Sequence, residues 1–341
     1  MKTILVTGAA GFIGSNFVDW LQTRRPEYRI LVVDALTYAG SRNNLVEATS
    51  GTQKCQFWHG DVRDAELVER LVAQSDIVIH MAAESHVTRS LSDDRVFFET
   101  DVLGTLTVAT AVARNPGKVE RFIHISSSEV YGTALAEMMD EEHPLNPMNP
   151  YAAAKCGADR LVYAYWASYG IPAVIVRPFN AFGPRQHLEK VIPRFITGCL
   201  LGEPLVVHGD GAAARDFTFV EDLCAGLERL LDIERDLVVG ETINLGSGRH
   251  RTVLEIASAV RDRMRPKSPI TFVGDRPGQI VRHTCDAAKA ERLLGWTPKI
   301  TFEDGLQRTI DWYRRHEPSW RPQLWARHIP IITAAGTREM H

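Results

Sequence analysis

The sequence predicts an α/β protein built on a doubly wound parallel sheet, with a smaller region at its C-terminal end. Three observations predict this. Short β-rich runs alternate with helical stretches through the first half, several of the runs are apolar at nearly every position, and the first run ends in a glycine-rich turn that opens a helix. The strands read ILVTG (4–8), RILVVD (29–34), QFWHGD (56–61), DIVIHMA (76–82), RFIHISS (121–127) and PAVIVRP (172–178). Unbroken apolar runs fit strands covered on both faces, because a half-exposed strand would alternate. Helical patterns lie between them, among them Asp64–Ala73 and the long Asp94–Ala113. A repeated βαβ unit implies right-handed crossovers and a parallel sheet.

Size and charge narrow the class. With 341 residues, 45% of them hydrophobic, the chain has enough material for one large α/β unit or two domains sharing a core. The formal charge is −3 and there is no long basic run, so neither nucleic acid nor an anionic membrane is an expected partner. No apolar stretch approaches the roughly 20 residues of a spanning helix. The opening MKTILVTGAAGF reads as strand and turn and lacks the features of a secretion signal. Cys55, Cys156, Cys199, Cys224 and Cys285 are odd in number and scattered, as expected of reduced thiols in a cytoplasmic protein. The twelve histidines show no H-E-x-x-H or Cys/His ligand spacing, so no metal site is expected.

The segment 135–149 is irregular, with Pro144 and Pro147, and Pro150 stands where a helix should begin. Past residue 178 the βαβ rhythm loosens into turn-rich stretches such as EPLVVHGDG and GDRPGQ. These suggest three parts: a nucleotide-binding unit over 1–178, a mainly substrate-binding region over 179–312 and a tail over 313–341. In the tail, Trp320, Pro322, Trp325 and Pro330 break any regular pattern, as expected of a surface-wrapping segment.

TGAAGFIGS places Gly8, Gly11 and Gly14 directly after the first strand and at the start of a helix. Such glycines allow a tight turn and a close backbone approach, while helix N–H groups face a pyrophosphate; this is the Rossmann-type dinucleotide fingerprint. Asp34, ending the second strand, would accept hydrogen bonds from the adenosine ribose and repel a 2′-phosphate. Ala35 and Leu36 beside it supply no arginine, so NAD is expected over NADP. Phe12 and Ile13 between the glycines, Thr37 after Asp34, Asp61 with Val62, and Met81-Ala82-Ala83 would line the same site. Ser85 and Thr100 complete the expected cofactor surround.

Tyr151 and Lys155 in PYAAAK stand one helical turn apart on one face. There the ammonium can stabilise a phenolate, which could take a proton from a sugar-type hydroxyl near neutral pH. Glu129 in SSSEVYG adds a second acid/base group, more than simple alcohol oxidation requires.

At this point the chain resembles the extended short-chain dehydrogenase/reductases that act on nucleotide sugars. The resemblance covers roughly residues 1–312 and rests on TGAAGFIGS, GDVRD, HMAAESHV, SSSEVYG, PYAAAK, RPFNAFGPRQ, RDFTFVEDL and INLGSG. VDALTYAGSRNNL, AAESHVTRSL and GDRPGQ look like the dTDP-glucose 4,6-dehydratases, whereas the stretch from SSSEVYGTA to RPFNAFGPRQ looks like dehydratases for nucleotide-linked N-acetylglucosamine. The resemblance implies that Tyr151 takes the sugar C4 hydroxyl proton as hydride passes to NAD, with Lys155 lowering the tyrosine pKa. It implies that Ser127 bonds the C4 oxygen and that Glu129 removes the C5 proton, before water leaves C6 and the hydride returns there. In dTDP-glucose dehydratases an Asp precedes this Glu and protonates the leaving hydroxyl. Here that position is Ser128, a Ser-Glu pair that uronate decarboxylases also carry, which keeps a decarboxylase as a rival; a 4-epimerase using the same Tyr/Lys pair is another, though it leaves Glu129 unexplained.

For the nucleotide sugar, Arg215 is the best candidate to hold the diphosphate, since a guanidinium binds phosphate bidentately. The alternative for Arg215 is a surface ion pair with Asp216 or Glu221. The resemblance adds Ser85, Asn180, Lys190, Val191, Val206 and His208, with Asn244, the loop 275–279 and Arg282 on the far side of the pocket. It also implies a homodimer formed through a four-helix bundle. Its helices would be Asp94–Ala113 and the Tyr151 helix, with Phe97, Leu103, Tyr163 and Trp166 on their outer faces.

Overall fold

The computed structural model describes residues 1–50, 54–265, 268–275, 280–327, 329–332 and 338–340. Seven parallel strands form its central sheet. β1 (Thr3–Thr7), β2 (Arg29–Asp34), β3 (Cys55–His59), β4 (Ile77–His80), β5 (Arg121–Ile125) and β6 (Ala173–Pro178) stand where the apolar runs predict, to within a residue or two at each end. The seventh, Thr242–Leu245, adds to β6 from far along the chain. TINL is too short to show a period, so the sequence gives no sign of this strand.

The order is Thr242–Leu245, β6, β5, β4, β1, β2, β3. Chain direction across the sheet therefore reverses between β1 and β4, and a crevice opens at their carboxyl ends. Every residue of β1, β4, β5 and β6 is buried, as strands covered on both faces must be. On one face Phe17, Val18 and Leu21 of the helix Phe12–Arg24 meet Leu223 and Leu227 of the helix Val220–Asp232. On the other, Val68, Leu71, Val108, Val112 and Val162 form a second apolar layer. Each such side chain contributes roughly 1.5–3 kcal/mol by leaving water.

The helix expected over Asp64–Ala73 runs Ala65–Val72, with the Asp64 carboxylate accepting the N–H groups of Glu66 and Leu67. The stretch expected over Asp94–Ala113 forms one helical rod, Arg95–Arg114, but with a π-helical segment at Phe98–Leu103. Phe97 consequently packs inward at 1% exposure, and Phe98 faces out at 43%. This corrects the outward placement of Phe97. The rod is long and apolar enough to cross a membrane by length and composition, contrary to the reading that no stretch is. Its inner face lies against the helices Ala65–Val72 and Pro150–Tyr169.

Beyond β6, a three-stranded sheet joins His250–Thr252, Ala214–Phe219 and Asn180–Phe182, and a two-stranded one joins Ile270–Val273 and Leu205–His208. The helices Val191–Leu201, Val253–Met264 and Phe302–Arg315 enclose a separate core containing Phe182, Phe195, Ile256 and Leu306. The tail is more regular than its aromatic and proline content predicts. The last of those helices reaches Arg315, and short turns continue to Arg327. Trp320 is buried, and its indole N–H donates to the Tyr313 carbonyl at 2.7 Å. The irregular-looking tryptophan pattern is a packing pattern.

Candidate active site

A cavity of about 350 Å³ lies at the crevice and gathers most of the predicted residues. From the cofactor set it is lined by Gly8, Gly11, Phe12, Ile13, Gly14, Asp34, Ala35, Thr37, Asp61, Val62, Met81, Ala82, Ala83, Ser85 and Thr100. From the catalytic and substrate sets it is lined by Ser127, Ser128, Glu129, Tyr151, Lys155, Asn180 and Lys190.

The glycine turn is closed by contact. Gly8 has φ +67°, and a Cβ there would sit 2.6 Å from the Ala82 nitrogen. A Cβ on Gly14 would sit 2.3 Å from the Gly8 carbonyl oxygen. No side chain caps the first turn of the helix Phe12–Arg24, so its N–H groups remain available to a pyrophosphate. Asp34 accepts from Ala10 N–H and Leu36 N–H, both at 2.8 Å. Burial pushes its carboxyl above the usual range, and those two donors partly offset the push. Leu36 itself does not line the cavity; held at φ +52°, it serves through the N–H that orients Asp34. Glycine cradle, uncapped helix start and oriented carboxylate together fit a dinucleotide.

The candidate catalytic residues sit on two elements. Pro150 opens the helix Pro150–Tyr169, and the Asn149 side chain caps it by accepting Ala152 N–H at 2.9 Å. Tyr151, Lys155 and Asp159 then share one buried face, four residues apart. Burial raises the Tyr151 phenol pKa; the Ser127 hydroxyl, bonded to it, pulls the other way, and Asp101 and Glu129 raise it further. Lys155 Nζ donates to the Ile125 carbonyl at 2.7 Å. Burial lowers the Lys155 pKa, opposed by the carboxylates of Asp101 and Asp159.

Glu129 lies on the short 3₁₀ turn Ser128–Tyr131, which follows β5 and is capped by Ser127 accepting Glu129 N–H at 3.2 Å. Its carboxylate, 14% exposed, is 3.8 Å from Arg215 Nε and 3.5 Å from Asn149 Nδ2. Arg215 therefore belongs beside the chemical site, not to a surface pair. Asp216 accepts instead from the N–H groups of Ser247, Gly248 and Cys285, and Glu221 pairs with Arg308.

Several acidic residues in and around the cavity escaped the sequence reading. Asp101 lies in the π-helical segment, buried, with one oxygen accepting Glu84 N–H at 2.7 Å. Burial pushes it up to about 7, with Lys155 opposing. Glu84 lines the cavity and is pushed up to about 6 by burial and by Glu189. Because Phe97 reads as outward in the sequence, its four-residue spacing to Asp101 carried no sign of an inward carboxylate. Asp159 forms a buried two-point ion pair with Arg177 at 2.9 and 3.0 Å, and Arg177 also donates to the Tyr131 hydroxyl at 2.9 Å.

The remaining substrate candidates do not line the cavity. Val206 and His208 lie on the Leu205–His208 strand, and Val191 begins the helix Val191–Leu201. Arg282 donates to the Ala136 carbonyl at 2.7 Å. Asn244 has no exposed surface: its Oδ1 accepts from Tyr131 and its Nδ2 donates to the Met139 carbonyl. It serves as a strut between strand and turn. Of the loop 275–279, only Asp275 lies within the described residues. Lys190, in contrast, lines the cavity and donates to the Ser85 carbonyl, so it is no ordinary surface lysine. No grouping of His, Cys, Asp and Glu suited to a metal ion occurs among the described residues.

Known proteins are similar to this chain. The family model described as GDP-mannose 4,6 dehydratase matches residues 5–309. The chain is 44% identical over 311 residues to the low-salt glycan biosynthesis protein Agl12 of Haloferax volcanii, covering 91% of this chain and 98% of that one. It is 42% identical over 325 residues to a dTDP-glucose 4,6-dehydratase of Mycobacterium tuberculosis, covering 94% and 95%. The crystal structure of DesIV, a dTDP-glucose 4,6-dehydratase from Streptomyces venezuelae with NAD bound, matches with a TM-score of 0.90 at 40% identity, over 94% of this chain and 99% of that one. Taken with the seven-stranded sheet and the Tyr151, Lys155 and Glu129 cavity, these matches show that the chain belongs to the nucleotide-sugar 4,6-dehydratase family of the short-chain dehydrogenase/reductases.

Proposed function

We propose that this protein is an NAD-dependent nucleotide-sugar 4,6-dehydratase. It converts an NDP-hexose of glucose or N-acetylglucosamine type to the 4-keto-6-deoxy product. The observation that carries the reading is the Glu129 carboxylate, which lines the same cavity as Ser127, Tyr151 and Lys155. An epimerase acting at C4 would have no work for it. A decarboxylase would want a cation dedicated to a substrate carboxylate, whereas Arg215 is engaged by Glu129 and by the carbonyls of Ala214 and Ile280.

NAD, held by the glycine turn and Asp34, supplies the acceptor that takes the C4 hydride and later returns it to C6. Tyr151, bonded to Ser127, removes the C4 hydroxyl proton, and Ser127 holds the same oxygen. Lys155 supplies positive charge under the phenol face of the helix. The resulting 4-keto group acidifies C5–H, and Glu129 takes that proton as general base. Lys190 and Asn180 line the cavity on the substrate side, while Arg215, engaged by Glu129 and outside the cavity lining, adds positive charge behind that carboxylate. The glycine and strand framework of 1–178 holds the cofactor, and 179–312 holds most of the nucleotide sugar.

Among donors, dTDP-glucose leads, because the M. tuberculosis and S. venezuelae relatives are named for it. The protein acts in the cytoplasm and forms a homodimer through its Arg95–Arg114 and Pro150–Tyr169 helices. Exposed Phe98, Leu103 and Tyr163 support that face. Purified protein offered UDP-, dTDP-, GDP- and CDP-linked sugars should release a product lighter by one water, read by mass spectrometry. Loss of carbon dioxide, or an isomer of unchanged mass, would replace this reading with decarboxylation or epimerisation.

A further inference from the structure

One step of the dehydration lacks a dedicated acid: the C6 hydroxyl must depart as water, yet the residue beside Glu129 is Ser128. Ser128 lines the cavity, and behind it stands His283, which has no exposed surface and does not line the cavity. His283 Nδ1 is 3.4 Å from Ser128 Oγ, and Nε2 is 2.6 Å from the Gly132 carbonyl oxygen. The Phe179 ring packs edge-on against the imidazole, centroids 6.0 Å apart, and restrains its tilt.

The protons on this pair follow from their partners. A carbonyl oxygen only accepts, so Nε2 carries the hydrogen and donates it to Gly132. Burial lowers the His283 pKa to about 4; Glu129 raises it, while Arg215 and His143 lower it, so the ring is neutral near pH 7. A neutral ring protonated on Nε2 leaves Nδ1 as an acceptor. The Ser128 hydroxyl then donates to Nδ1, and the lone pairs of Oγ are left for the cavity.

We propose that His283 is a positioning residue that fixes Ser128 as a hydrogen-bond acceptor for the substrate C6 hydroxyl, so that dehydration runs on a single proton carried by Glu129. The step balances without another acid. Glu129 takes the C5 proton, and the C5–H electron pair, held as the enolate of the 4-ketone, forms the C5–C6 double bond. The C6–O bond breaks with its electron pair. The proton on Glu129 passes to that oxygen, water leaves, and the carboxylate is regenerated. By accepting the C6 hydroxyl hydrogen, Ser128 turns a lone pair of the same oxygen toward Glu129. The role depends on the dehydratase reading above.

The test compares wild type, His283→Phe and Ser128→Ala on the donor that wild type dehydrates. Three steps are read separately: appearance of reduced nicotinamide, exchange of C5 hydrogen with deuterated water, and loss of water. The two variants should oxidise C4 and exchange C5 hydrogen at close to wild-type rates, yet lose water about tenfold or more slowly, equivalent to one misdirected hydrogen bond. Their double mutant should be no slower than the worse single variant, because both changes remove one interaction. Ser128→Ala leaves His283 in place and keeps the test valid if His283→Phe folds poorly. Water loss within twofold of wild type in the two single variants, equal slowing of all three steps, or additive effects in the double mutant would overturn the role while leaving the dehydratase reading intact. A wild type that dehydrates no donor would overturn that reading, and this role with it.

Discussion

Replacing Glu129 by Gln tests the assignment that separates dehydration from its rivals. Glutamine keeps the shape and can still accept from Asn149 Nδ2, which lies 3.5 Å from the carboxylate, so the turn should hold its place. What is lost is the base. The other carboxylates lining the cavity are Asp34, Asp61 and Glu84. Asp34 is engaged by the backbone at the end of β2, and Asp61 is bound by Arg63. Glu84 is pushed up to about 6, which leaves it largely ionised near neutral pH, and it follows β4 where Glu129 follows β5. The loss should fall in the roughly 10²–10⁴-fold range for general-base removal, about 3–5 kcal/mol of barrier. Oxidation at C4, which the proposed mechanism assigns to Tyr151, Ser127 and Lys155, should survive. The assay follows reduced nicotinamide by absorbance, and C5 deuterium exchange and water loss by mass spectrometry. Expected are a persistent reduced-cofactor signal, no exchange and almost no dehydration. Dehydration within tenfold of wild type would refute the role of Glu129.

Asp159→Asn should cost about 3–5 kcal/mol in denaturant unfolding, because it leaves the Arg177 guanidinium, 2% exposed, without its two-point partner. Burial pushes the Asp159 carboxyl up, but bonds and charge from Arg177 outweigh this and hold it well below the usual range. Its contribution is therefore present above about pH 4 and lost as pH falls, so the gap between variant and wild type should narrow in acid. Asn149→Asp keeps an N-cap acceptor but sets a second carboxylate against Glu129; folding should be near wild type, with dehydration slowed about tenfold. Leu103→Glu, at a position 51% exposed, should convert a dimer to monomers in sedimentation without altering the cavity.

The sheet and the cofactor end were legible because they depend on local signals. A covered strand must be apolar along its length, and a glycine at φ +67° against β4 announces itself in spacing. The seventh strand was not, because four residues carry no period and its place is decided by pairing with β6 across the chain. Asp101 was hidden by its setting: it is one of two acids in an apolar helical rod, and such an acid reads as exposed, whereas Asp101 is buried and accepts Glu84 N–H. His283 and Ser128 are 155 residues apart in sequence, and only the fold makes them neighbours. Asn244 misled in the opposite sense, since its motif suggests a ligand contact while the fold uses it to hold Tyr131 and Met139.

In the proposed mechanism the base for C4 and the base for C5 come from different elements, and Asn149 bridges them. Asn149 caps the Tyr151 helix through Oδ1 and donates to the Glu129 carboxylate through Nδ2. A second connection runs behind the first. Asp159, two turns past Tyr151 on the same helix, holds Arg177 of β6, Arg177 donates to Tyr131 on the Glu129 turn, and Tyr131 donates to Asn244 on the strand beside β6. Helix, turn and two strands are thus joined by buried polar bonds with no exposed link to fray. That rigidity is what the proposed sequence of steps requires. The sugar ring stays in place while its C4 hydroxyl meets Tyr151 and its C5–H meets Glu129, so an error of about 1 Å between the two bases would cost one step or the other on the order of a hundredfold. An epimerase needs only the first base and a ring free to turn between two faces. A chain that ties a second base to the first through Asn149 is arranged to keep the ring still.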